Sequence, residues 1–425
     1  MNEKDLIITP IKKMKAYKLY LTILFAASSM TLLSSCENDV YDPNAAESTK
    51  DLIAPSDFDW DMTRSVTCSL TSPVNTVVSI YSDAACTDES LLVEGIALTA
   101  NETKEIPIYI PAYKTNIYVQ YPTADGEKVL EGKLNVTTRT KAENIILLLP
   151  GDASRKSSPD YHYAYYPSKN TQGTLMFEDL YPELGDYDFN DFVIGYNAEI
   201  FTSGTHNATD DGFIFTFKIR AIGGSLPYRP ALRLKGFAMK NLRNAEVSFT
   251  TTRTGIEMEL VKGRSDEQDV IFVINGTEKL RQGGFFNTDP EKPVDTDLPI
   301  VTCKVVRNNY NDIEVGKYYS ALSAALPNYF DFFLQNTQNK DEIHFKGFNP
   351  TDMSQMDPNT EFIHNRQKLV WAIAVPEEIG YAKERIDILH IYRGKFKSWI
   401  ASSGTSDEGW YLKPPHPDGL FPLNK

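Results

Sequence analysis

The feature that most constrains the fold is a succession of short runs in which β-branched and aromatic residues alternate with polar ones. Each run is closed within about a dozen residues by a turn former. Between Asp57 and Pro150 there are seven: 65–70, 76–81, 90–93, 104–110, 116–120, 128–136 and 144–149. Clusters such as Ser72-Pro73-Val74-Asn75 and Thr123-Ala124-Asp125-Gly126 separate them. A period of two sends alternate side chains to opposite faces, so each run can bury one side and must pack against a second sheet. Seven such runs predict an immunoglobulin-like sandwich over residues 57–150, with Trp60 expected to plug one end of its core. The polar stretch 151–159 reads as a linker. Ten more runs follow, at 173–177, 192–201, 212–222, 231–239, 245–251, 270–274, 300–306, 343–348, 368–375 and 386–391. They predict a larger jelly-roll-like β-sandwich over residues 160–425. Only 318–326 and 395–402 carry helical spacing. The expected class is all-β.

Composition narrows the function. A chain of 425 residues with 41% hydrophobic and 24% charged residues has enough apolar material for a core, which excludes a disordered chain. With 43 basic against 57 acidic residues, net charge -14, it lacks the excess of Lys and Arg that binding duplex nucleic acid requires.

The N-terminus carries an address. An apolar stretch, 19–33, follows Lys12, Lys13, Lys15 and Lys18 and precedes Ser34-Ser35-Cys36. A basic segment, a short apolar core and small residues describe a secretory signal, and the stretch falls short of the about 20 residues a membrane-spanning helix needs. Leu33-Ser34-Ser35-Cys36 resembles a bacterial lipobox, which makes 1–35 a signal peptide, Cys36 the expected lipidation site, and the membrane a partner through that anchor. Glu37-Asn38-Asp39 resembles the signal that sends lipoproteins to the outer surface. The expected location is therefore the outer membrane, facing the exterior. Residues 36–56 read as a flexible tether. Cys68 and Cys86 form a candidate disulfide in an exported chain, set against two buried thiols, and Cys303 reads as a buried structural cysteine.

The densest chemistry lies between Glu178 and Asp191. Asp186, Asp188 and Asn190 fall at i, i+2 and i+4, the spacing of the first oxygen ligands in calcium loops, and Glu178, Asp179 and Asp191 stand ready to complete a shell of about 6–8 oxygens. The sixth and twelfth positions of the loop are Asp191 and Asn197 rather than Gly and Glu, so it is not an EF-hand. Three readings stand: a structural Ca²⁺ site, a metal-free network of Asx turns, and a catalytic carboxylate pair or surface acid patch.

The stretch FEDLYPELGDYDFNDFVIGYN resembles the signature of LruC-domain bacterial lipoproteins. The likeness continues through Leu369-Val370-Trp371-Ala372 and Gly409-Trp410-Tyr411, covering about 160–425. It implies a surface or outer-membrane β-rich lipoprotein. Carried over position by position, the acidic signature is Glu178, Asp179, Asp186, Asp188, Asn190 and Asp191.

No zinc-ligand pair, nucleophile elbow, phosphate-binding loop or dinucleotide fingerprint is present in the sequence. The expectation is accordingly a binding, adhesion or structural module rather than an enzyme. The expected partner besides the membrane is a surface glycan or protein, which the sequence does not identify. Trp399, Trp410 and Tyr411 are candidate sugar-stacking aromatics, weighed against a role in the core. The alternatives are a surface glycan-binding protein and a carboxylate-dependent glycoside hydrolase.

Overall fold

Alternation decides most of the architecture. In the strand Thr63–Thr71, Val66, Cys68 and Leu70 point inward while the residues between them are half exposed. The computed structural model describes residues 46–134, 143–203, 210–281, 284–308 and 326–422. The proposed signal peptide, Cys36 and the predicted helix up to residue 325 lie outside them.

One eleven-stranded sheet runs through most of the molecule. Its main path is Ala245–Thr251, Ile300–Asn308, Asp210–Ala221, Phe192–Ser203, Tyr161–Tyr166, Leu91–Leu98, Thr76–Tyr81, Asn116–Thr123 and Gly126–Lys133. Gly173–Phe177 pairs with the start of Phe192–Ser203 and carries Ala372–Val375 at its other edge. A three-stranded sheet, Thr103–Pro111, Thr63–Thr71 and Glu143–Leu148, covers one end. The core between them includes Val66, Cys68, Leu70, Ile80, Ile108 and Val119. A five-stranded sheet covers the other end: Glu257–Leu260, Asp269–Asn275, Tyr228–Ala238, Phe330–Asn336 and Glu342–His344. Phe213, Phe215 and Phe217 meet Phe330 and Phe332 in that core, with ring centroids 4.8 Å apart for Phe215 and Phe330.

The all-β, two-sandwich expectation holds, and the two sandwiches share a sheet. From Ala46 onward the chain is one compact unit. The stretch 151–159 is held by Ser154 N–H to Pro122 O (2.8 Å) and Lys156 N–H to Asn75 O (3.2 Å), so it is a fixed crossing and not a loose linker.

A third layer lies on the far side of the long sheet. The helix Ile388–Ala401 buries Leu389, Ile391, Tyr392, Phe396, Trp399 and Ile400, and the Asp387 side chain caps it through the Leu389 N–H. Its first turns had read as a strand at 386–391 because Ile386, Ile388 and His390-Ile391 mimic alternation. The tether expectation is corrected from Ala46 onward. Leu52 and Ala54 are buried against this layer, Ala54 N–H donates to Gln367 O at 2.8 Å, and Thr49 N–H donates to Asp387 at 2.7 Å. Trp60 also belongs here: its ring lies 5.7 Å from that of Trp399, and it does not plug the first sandwich.

The cysteine expectation is corrected in part. Cys68 and Cys86 are both free, Cys68 inside the first core and Cys86 on a turn after Thr76–Tyr81, so no bridge joins them. Cys303 is a buried thiol, as expected, and burial pushes it up to about 12.

Candidate functional site

The strand Gly173–Phe177 ends by delivering Glu178 and Asp179 to the corner where the long sheet meets the helical layer. Glu178 is fixed from both ends. Its N–H donates to Trp371 O at 2.8 Å, and its carboxylate accepts from the N–H groups of Phe189 (2.7 Å) and Tyr187 (3.2 Å). Tyr187 and Phe189 are both left-handed, at φ 57° and 52°. Such alternation turns successive N–H groups inward into an anion-binding nest, and the Glu178 carboxylate fills it. The left-handed region costs a bulky residue about 1–2 kcal/mol. Burial of both rings in the helical layer offsets that cost.

The neighbouring acids are equally committed. Asp188 accepts from Asn190 N–H at 3.0 Å and from Arg385 N–H at 2.8 Å. Asp191 accepts from Asp179 N–H at 2.7 Å, and Asp179 from Leu226 N–H at 3.0 Å. The loop also ties down the far layer: Ile388 N–H donates to Tyr187 O, and the Asn190 amide donates to Ala382 O. Asp186 is exposed and accepts no hydrogen bond among the described residues.

Three glycines make this packing feasible. A Cβ on Gly185 would stand 1.9 Å from Glu178 Oε2, one on Gly223 would stand 2.0 Å from Asn190 Oδ1, and one on Gly224 would stand 2.5 Å from Asp179 Oδ2. By sequence Gly223-Gly224 marks only a turn. Its role as a cradle for the acids is tertiary, and no local signal announces it.

The six expected ligands divide. Carboxylate oxygens of Glu178, Asp186 and Asp188 lie within 4.8 Å of one another. Asp179 and Asp191 are not in that group, their carboxylates accepting from Leu226 N–H and Asp179 N–H, and the Asn190 amide nitrogen is turned to Ala382 O. Among the described residues the Asn190 Oδ1, fully buried, has no hydrogen-bond partner. Oxygens ligating one Ca²⁺ at about 2.3–2.6 Å stand no more than about 5 Å apart, so the spacing of the converging three fits a hard cation.

The charges strain this corner. Burial raises Glu178 well above the usual carboxylate range, and the charges of Asp191, Asp188 and Asp186 raise it further. Burial and the Asp186 charge push Asp188 up to about 8 against the pull of its two N–H donors. Asp191 moves up through burial and then through Asp179. Glu178 is wholly buried and Asp188 nearly so, and neither carboxylate is presented at the surface.

The aromatics proposed for stacking are corrected as well. Trp399, Trp410 and Tyr411 are at most 2% exposed and stack on Phe396, Tyr392 and one another. They are the core of the helical layer. Sequence reasoning also missed a buried charged array on the five-stranded sheet, where His344 lies between Asp331 and Glu342. Asp331 and Gln335 interrupt an otherwise apolar run, and no local signal marks their partners.

Residues 212–411 match a family described as Domain of unknown function (DUF4842), and residues 76–149 match Domain of unknown function (DUF4841). The acidic loop lies outside both segments. Neither match bears the LruC name, so that likeness rests on the quoted motifs. No curated protein matches the chain by sequence. A crystal structure of a candidate lipoprotein from Bacteroides ovatus aligns at a TM-score of 0.64 with 19% identity, over 83% of this chain and all of that one. The two share a fold. The full-length major pilin SpaD from Corynebacterium diphtheriae aligns at 9% identity, over 67% of this chain and 66% of that one, with a TM-score of 0.16, too low to relate the folds.

Proposed function

We propose that the chain is a lipid-anchored outer-membrane module, facing the exterior, whose C-terminal layer is locked by Ca²⁺ and which works by binding or scaffolding and not by catalysis. The observation that carries the metal reading is the convergence of Glu178, Asp186 and Asp188 oxygens within 4.8 Å at a corner where burial and mutual repulsion disfavour bare carboxylates. Those three residues would hold the ion, and a divalent charge would relieve the repulsion among them. The anchor reading is supported by Leu33-Ser34-Ser35-Cys36 and by the description of the B. ovatus relative of shared fold as a candidate lipoprotein. No described helix is long and apolar enough to cross a membrane. LruC-type membership belongs to the same proposal and is supported by the FEDL and DYDFND segments.

The test is a thermal melt of the full-length chain in mild detergent, in EDTA and then with Ca²⁺ or Mg²⁺. A ligand at about 100 times its Kd stabilises the native state by about 2.7 kcal/mol. A transition raised by Ca²⁺ and not by Mg²⁺ supports the site. Equal transitions in EDTA and Ca²⁺ would leave the loop as a hydrogen-bonded turn network.

A further inference from the structure

The outer face of the five-stranded sheet holds a second constellation. Register places Arg229 opposite Gln335 and Arg233 opposite Asp331, while Gln335 in turn faces Glu342 and Phe333 faces His344. These side chains form an arc that begins at one arginine and ends at the other. Arg229 donates to Gln335 Oε1 (2.8 Å), Gln335 donates to Glu342 (3.1 Å), and the two ring nitrogens of His344 meet Glu342 (3.0 Å) and Asp331 (2.8 Å). Asp331 closes on Arg233 at 2.6 Å. A second contact from Arg229 to Asn275 Oδ1 (2.6 Å) and one from Arg233 to Asn349 O (2.8 Å) lock both guanidinium groups in place.

Above this arc lies a cleft of about 730 Å³, bounded by the turn after Glu257–Leu260 and by residues 351–355. That volume is typical of ligand sites. Arg233 is committed to Asp331, but three other cations of the lining are not ion-paired among the described residues: Arg229 hydrogen-bonds only to amides, with Glu259 acting on it at longer range, and Lys262 and Arg264 make no ion pair. Of its three acids one is ion-paired and two accept from neutral donors. Glu267 pairs with Lys240 at 2.6 Å, Asp269 accepts from Gly236 N–H, and Asp352 accepts from the Gln268 amide. The Nε atoms of Arg229 and Arg233 are both buried without a partner. The lining holds five basic side chains against three acidic ones, a local positive excess in a chain of net charge -14.

We infer that the cleft binds an acidic saccharide through Arg229, Lys262 and Arg264. A fixed guanidinium matches carboxylate and sulfate groups alike. Ser265 and Gln355 at the rim suit sugar hydroxyls, and Val261, Ile271 and Met353 provide an apolar floor for a ring face. This reading is independent of the metal site.

The test is calorimetric titration of the full-length chain in mild detergent, with EDTA present so that calcium cannot bridge the ligand. The probes are a galacturonate tetramer, a heparin-derived sulfated tetramer and neutral cellotetraose. Either acidic probe binding, with cellotetraose silent, is the expected result, and which of them binds assigns carboxylate or sulfate as the recognised group. The exposed pair Lys262→Ala with Arg264→Ala should weaken binding by roughly tenfold or more while the melting temperature holds, and Arg229→Gln should weaken it likewise with a lower melting temperature, since it also removes the bonds to Gln335 and Asn275. No heat from either acidic probe, equal binding by the double variant, or equal binding of inorganic polyphosphate would overturn the assignment.

Discussion

Replacing Asp186 by Asn separates the metal reading from the turn-network reading by the sign of its effect. Asp186 is exposed and supports no backbone donor, so the change removes a charge without breaking a hydrogen bond. Two unit charges 4.8 Å apart repel by about 0.9 kcal/mol in water and by about 3.5 kcal/mol at an effective dielectric near 20. Exposure places Asp186 toward the aqueous end, so relief of about 1–2 kcal/mol is expected from its buried neighbours. A unit spanning Ala46–Lys425 shifts by about 1–2 °C per kcal/mol. In EDTA at pH 8.5, above the raised Asp188 value of about 8, the variant should melt about 1–4 °C higher than the parent. In saturating Ca²⁺ the order should reverse, because the parent gains an ion that the variant holds weakly. Differential scanning fluorimetry of both proteins in both buffers reads the crossing directly. If Asp186→Asn melts higher by the same margin in EDTA and in Ca²⁺, repulsion is real and no ion relieves it. If it melts lower in EDTA, the electrostatic account of this corner is wrong.

Leu52→Ala should destabilise the fold by about 2–5 kcal/mol, since Leu52 is buried in the helical layer; a urea titration showing no change would return this segment to a tether. His344 supplies a pH dependence. Burial alone would lower its pKa, but the charge of Asp331 and the bonds to Asp331 and Glu342 outweigh that effect and raise it, with Arg233 on the far side of Asp331. Its stabilisation is therefore complete below the unfolded value of about 6.5 and is lost as pH rises through the higher folded value. Urea midpoints should fall between pH 6 and pH 9, and the fall should be smaller in His344→Gln.

Much of the strand pattern was legible because alternation is a local signal: 76–81, 173–177 and 245–251 coincide with strands of the structure. Phe330–Asn336 was not. All seven residues are buried, and Asp331 and Gln335 broke the apolar pattern because their partners come from Arg233, Arg229, Glu342 and His344 elsewhere in the chain. Pairing of Leu91–Leu98 with Tyr161–Tyr166, which fuses the two sandwiches, joins segments about seventy residues apart and leaves no local trace. In the acidic loop, i, i+2 spacing correctly grouped Asp186 with Asp188. At Asn190, after left-handed turns at Tyr187 and Phe189, the amide nitrogen is bonded to Ala382 O and the buried Oδ1 has no partner among the described residues, which the spacing alone does not foretell.

The docking of residues 46–60, through buried Ala46, Thr49, Leu52, Ala54, Phe58 and Trp60, also sets a load path. Tension applied to the backbone at Ala46 meets, within a few residues, the contacts of Lys397 with Ala46 O and of Thr49 with Asp387. Both partners belong to or cap the helix Ile388–Ala401, near the far end of the sequence. Pulling is therefore expected to peel the N-terminal strap from the C-terminal layer before any strand of the first sandwich is strained. The fold carries a mechanical fuse ahead of its β-sheets, and the acidic loop, bonded to the first residue of the same helix, sits beside it.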